Sequence, residues 1–132
     1  MKMDKPYTIV QHNDYELTIF HGISPLDPNN DNVDVEVIFP NGESFSAVFF
    51  TVQNIESLMK SYKLTGECSD GLYFWTSDMI IVQQLSEKSI CETIDKLLVE
   101  GDFESVFSKN QHATEISSDN DEDYFRRFNE SL

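Results

Sequence analysis

Polar and apolar residues alternate most regularly over residues 33–51, on either side of Pro40-Asn41-Gly42. Pro40 has no N–H, so it cannot donate the bond that would close a two-residue Asn-Gly loop. A type I turn satisfies the ladder instead, with Pro40 and Asn41 at its central positions and Gly42 in the left-handed bulge position. That turn sets Phe39 opposite Glu43, then Val37 opposite Phe45, Val35 opposite Ala47 and Val33 opposite Phe49, all on one face. Asp34, Glu36, Ser44 and Ser46 fall on the other face, interrupted by Ile38 and Val48. A slip of one residue would scatter the apolar set over both faces, so burial and turn chemistry select the same register.

The remaining elements follow from the same reading. Residues 7–10 and 15–21 are short β-rich runs about His12-Asn13-Asp14, a first hairpin with Leu17, Ile19 and His21 on one face. Residues 22–32 are polar and Pro-rich, a loop. Thr51 is suited to cap a helix over residues 52–63, whose Val52, Ile55, Leu58, Met59 and Tyr62 recur at helical spacing on the side that packs on a sheet. Residues 66–71 read as a loop, and residues 72–75 and 79–83 as a second strand pair, apolar on both faces as central or doubly covered strands are. Ser86 caps a second helix over residues 87–100, with Ile90, Ile94, Leu97 and Leu98 inward and Gly101 just past its end. Phe103 and Phe107, four apart, add one further helical turn. The fold class is α+β: one domain over residues 1–107, an antiparallel or mixed sheet of five to six strands with two main helices packed on it. Residues 108–132 form an acidic C-terminal tail that ends in aromatic residues.

Charge changes this picture most. Nine Lys and Arg against 24 Asp and Glu give a formal net charge of −15. Such a field repels nucleic acid and anionic membrane and speeds encounter with basic partners. No apolar run is long enough to span a bilayer, and the first residues have no secretory pattern, so a cytoplasmic location is expected. Cys68 and Cys91 stand apart without metal or redox spacing, as free thiols in a reducing compartment do.

Catalytic signatures are missing: there is no Gly-rich phosphate loop, no His-Glu-x-x-His, no Gly-x-Ser-x-Gly and no Cys/His cluster. His12, His21 and His112 are spread along the chain, and no cation neighbours Cys68 in sequence to activate it. Asp27, Asp31 and Asp34 lack the alternating carboxylates, central Gly and terminal Glu of a calcium loop. Tyr73, Phe74 and Trp75 lack the basic flanks of a base-stacking platform, which makes core packing their expected role. The expectation is a protein that is not an enzyme and needs no metal or cofactor.

In size, acidity and sheet-plus-two-helix layout, with a likeness over residues 45–107, the chain resembles the small immunity proteins that neutralise polymorphic or contact-dependent bacterial toxins. The resemblance implies a cytoplasmic inhibitor of a basic toxin domain, commonly a nuclease, whose carboxylates lie where substrate phosphates would. Two patches are suited to such a partner. Glu67, Asp70 and Asp78 flank the stretch that carries Tyr73 and Trp75, which sets charge beside aromatic anchors. Asp119, Asp121, Glu122 and Asp123 form the second, in the tail. The first ranks higher, because a surface held by the fold loses less ordering entropy on binding. Two rival readings are an adaptor that binds through the aromatic segment 124–128 and a small enzyme with an unrecognised site.

Overall fold

The computed structural model describes residues 5–111. Six strands and four helical segments follow in the order β1 (Thr8–Gln11), β2 (Glu16–Phe20), β3 (Asn32–Ile38), β4 (Ser44–Thr51), α1 (Val52–Thr65), α2 (Glu67–Gly71), β5 (Met79–Val82), α3 (Glu87–Glu100), α4 (Phe103–Val106) and β6 (Ser108–Lys109). The class is α+β, with a mixed sheet ordered β1-β2-β3-β4-β5. Strands β1 to β4 pair antiparallel, and β5 lies parallel to β4.

The β3–β4 hairpin has the register its sequence dictates: Val33 faces Phe49, Val35 faces Ala47 and Val37 faces Phe45. Gly42 N–H donates to the Phe39 carbonyl at 2.9 Å and Phe39 N–H to that of Glu43 at 2.9 Å, with Gly42 left-handed at φ 90°. Pro40 therefore sits where no N–H is required. Leu17 and Ile19 of β2 extend the same face across Val37 and Val35. These residues are buried together with Leu85, Ile90, Ile94, Phe103 and Phe107. Helices α3 and α4 thus close the core.

Helix α3 is defined at both ends. Ser86 Oγ accepts from Ser89 N–H at 3.1 Å while Ser89 Oγ accepts from Ser86 N–H at 2.9 Å, a reciprocal cap. At the other end Gly101 is left-handed, and Asp102 N–H donates to the Leu97 carbonyl at 2.9 Å. The chain then turns into α4, whose Phe103 meets Phe45 edge-on at 5.1 Å and stacks on Phe107 at 4.4 Å between centroids.

Helix α1 belongs to the opposite face. Thr51 is fully buried at the junction, its Oγ1 accepting from Asn54 N–H at 3.1 Å and from Asp31 N–H at 3.3 Å. None of the α1 residues is buried, and Val52, expected to face inward, is exposed. The helix is held through Tyr62, which stacks on Phe74, which meets Phe50 edge-on at 5.2 Å. Phe50 alternates with Phe49, so these contacts lie across the sheet from α3.

Two expectations for residues 72–83 are corrected. Residues 72–75 are not a strand, and β5 is neither central nor doubly covered: no strand lies along its outer side among the described residues, and Ile81 is exposed. The cause is topological. A parallel neighbour of β4 needs a crossover, and residues 52–78 supply it, so 72–75 is spent as return connection. The expected core role of the aromatic run is not met: Tyr73 and Trp75 are exposed, and Phe74 is half-buried between Phe50 and Tyr62. Ser108 and Lys109, which composition assigns to the tail, pair with Ser46 and Phe45 as β6.

Truncation tests the assignment of the core face. Ile94→Ala, at a fully buried position, is expected to cost about 2–5 kcal/mol of unfolding free energy. Val99→Ala on the solvent side of the same helix is expected to stay within about 0.5 kcal/mol. Urea unfolding monitored by circular dichroism measures both, and equal losses would contradict this packing.

Candidate binding surface

Helix α1 ends where Gly66 turns left-handed at φ 88° and returns its N–H to the Tyr62 carbonyl at 2.8 Å. The next turn is unusual. Cys68, Ser69 and Asp70 all hold positive φ, at 48°, 52° and 61°, so α2 is a left-handed turn. A left-handed conformation costs an L-residue roughly 1–2 kcal/mol, and such strain persists only where surrounding structure imposes it. Gly71 is part of what imposes it. A Cβ there would lie 2.3 Å from the Met59 carbonyl oxygen, so the turn closes tightly onto the last part of α1.

This turn carries the exposed apolar side chains of the region. Leu64 is 90% exposed on its near side, and Leu72, Tyr73 and Trp75 are 78%, 46% and 67% exposed just beyond it. Large apolar side chains left exposed this close together in sequence are candidates for an interaction site. Glu67 and Asp70 lie on the same turn, both exposed. Neither carboxylate takes a hydrogen bond or ion pair from another described residue. The Tyr62 hydroxyl pKa is raised, first by burial and then by the nearby charge of Glu67 and Cys68.

Of the residues named from sequence, the fold therefore gathers Glu67, Asp70, Tyr73 and Trp75 on one short segment. Asp78 is used differently. Its carbonyl accepts from Val48 N–H at 2.9 Å and its Oδ1 accepts from the Ser108 hydroxyl at 2.5 Å, tying the start of β5 to β4 and to the start of β6. Asp119, Asp121, Glu122 and Asp123 lie outside the described residues, as does the aromatic segment 124–128. Leu64 and Leu72 were missed, because apolar residues beside a helix end and a strand-like run read as core.

Other reactive side chains make local bonds. Asp95 accepts from the Tyr15 hydroxyl at 2.9 Å and stands 3.3 Å from His12 Nε2, while His12 stacks on Tyr15. Burial, then the Asp95 hydrogen bond, pushes the Tyr15 pKa far up, which keeps the phenol protonated as donor. Burial also pushes the Cys91 thiol up, against nucleophilic use. His21 lies between Thr8 Oγ1 at 2.7 Å and the Gly22 carbonyl at 2.6 Å, in a pocket of about 270 Å³ that Glu87 also lines. In a neutral ring the Gly22 bond makes Nδ1 the donor and leaves Nε2 to accept from Thr8. A backbone carbonyl, not a carboxylate, orients the ring. In the loop before β3, Asp27 accepts from Asn29 and Asn30 N–H groups, and Asp31 from those of Asp27 and Asn32, so these carboxylates close turns. Among the described residues no three His, Cys, Asp or Glu side chains are grouped to hold a metal ion. Among the same residues no helix is long and apolar enough to cross a membrane.

No family model, characterised protein or solved structure matches this chain.

The strained turn makes a stability prediction of both signs. Gly71→Ala should cost more than about 1 kcal/mol, because it adds a clash at a left-handed position. Ser69→Gly should gain up to about 1 kcal/mol by removing the left-handed penalty. Amide exchange over residues 59–75 separates them, speeding in the first variant and slowing in the second.

Proposed function

We propose that this chain is a non-catalytic binding protein, an immunity protein that captures and neutralises a basic toxin domain, with a nuclease as the partner. The observation that carries the reading is the turn itself. Two carboxylates that take no hydrogen bond or ion pair from another described residue stand on the same short segment as exposed Leu72, Tyr73 and Trp75, in a chain of net charge −15. The chemistry of the two groups is complementary. Carboxylates facing Lys and Arg steer encounter and form charge-assisted hydrogen bonds, whereas aromatic anchors buried at the centre of an interface hold the complex once formed. A strained turn closed onto α1 also presents both with little left to order on binding. A cytoplasmic site of action belongs to the same proposal.

The test uses a basic toxin domain, which this reading expects to be encoded beside this chain's gene, purified as a catalytically inactive variant. Changing Glu67→Gln and Asp70→Asn together should slow association about tenfold at low salt and flatten its salt dependence, with the off-rate nearly unchanged. Trp75→Ala should instead raise the off-rate, at a cost of about 2 kcal/mol or more in affinity. Stopped-flow mixing and surface plasmon resonance read the two effects. Unchanged association in the charge variant would sink the steering mechanism, and the absence of both a complex and protection of co-expressing cells would sink the immunity reading.

A further inference from the structure

Among the described residues the outer side of β5 is an open sheet edge. Val48 N–H donates to the Asp78 carbonyl, so the peptide groups of alternate residues, those of Ile80 and Val82, face β4. Those of Met79 and Ile81 then face outward, where no strand pairs among the described residues. Natural edges are guarded by Lys, Pro, bulges or cover. At the opposite edge β1 follows Lys5 and Pro6, but residues 79–85 contain neither Pro nor any charge. The Ile81 side chain is also 51% exposed, on the same face as Phe50.

We propose that two copies of this chain pair through β5, antiparallel about a twofold axis at Ile80, to join their sheets. The occupant is another copy for reasons of charge and symmetry. Two chains of net charge −15 repel each other, and residues 79–85 add no charge of their own to that repulsion. Antiparallel pairing of one strand with its own copy is self-complementary: Met79 of each copy meets Ile81 of the other, and all the outward N–H and C=O groups of those residues are satisfied together. The same pairing covers the exposed Ile81 side chain with Met79. It also runs residues 76–78 of one copy beside residues 82–84 of the other. Val82, Gln83 and Gln84 line an open groove of about 830 Å³ together with Glu92 and Lys96 of α3. Four residues are a short pairing edge, so the dimer should be reversible.

Sedimentation equilibrium of the full chain from about 1 μM to 1 mM tests this. The apparent mass should rise from 15.2 kDa towards twice that value. Ile81→Lys, at an exposed side chain, should hold the mass at one copy throughout, although it lowers the net negative charge and so weakens general repulsion. Val99→Lys, a control with the same charge change on the solvent face of α3, should dimerise at least as well as the unsubstituted chain. Amide exchange of the unsubstituted chain supplies a readout independent of any variant's folding. Met79 and Ile81 should gain protection as concentration rises, while Ile80 and Val82, already bonded to β4, should not change. A monomer across the whole range, a dimer undiminished by Ile81→Lys, or protection that rises elsewhere than at Met79 and Ile81 would each overturn the proposal.

Discussion

Burial of alternate residues along the β3–β4 hairpin is the constraint on which the rest of this structure depends. Once Val33, Val35 and Val37 face Phe49, Ala47 and Phe45, one side of the sheet becomes a continuous apolar surface that must be covered. Helices α3 and α4 cover it with Ile90, Ile94, Phe103 and Phe107. The hairpin also fixes where β4 ends, and so puts Thr51 at the one position where a buried hydroxyl serves the start of α1 and the preceding loop together.

Strand β4 then divides its free edge. Its last residues, from Val48 to Thr51, take β5, whereas Ser46 and Phe45 take β6. Asp78 and Ser108 bond to each other where these two short strands meet. Beyond that point Asn110 donates from Nδ2 to Ser44 Oγ at 2.6 Å and from its N–H to the Ser44 carbonyl at 2.8 Å, while Ser44 Oγ donates to Glu36 at 2.8 Å. A buried serine on the polar face is thus satisfied by the end of the ordered sheet. Lys109 adds an exposed ion pair to Glu43, which holds that carboxyl below its usual range through its hydrogen bond to Lys109 first. At full exposure this pair orients the strand more than it stabilises it.

The two faces of the sheet are covered unequally, and the proposed function follows from that inequality. The α3 face is sealed. The other face is only partly covered, by a helix with no buried residue that is held by a short aromatic stack. The crossover back to β5 consequently runs at the surface, carrying its apolar and acidic side chains outward on a left-handed turn. Local cost at such a place is tolerated because the sealed face supplies the stability of the whole.

By itself the sequence determined whatever depends on neighbours along the chain. The Pro40-Asn41-Gly42 turn, the hairpin register, the Thr51 and Ser86 caps and the inner stripe of α3 were all legible, since each rests on a side chain acting within a few residues of itself. The left-handed turn was not, because it depends on how closely Gly71 approaches the Met59 carbonyl, a distance that exists only after folding. The exposure of Leu72, Tyr73 and Trp75 was hidden for a related reason. An apolar run looks the same whether it joins a sheet or crosses back over one. Only the tertiary structure, in which residues 72–75 return from α1 to β5, decided that Leu72, Tyr73 and Trp75 would face solvent while Phe74 packs on Phe50.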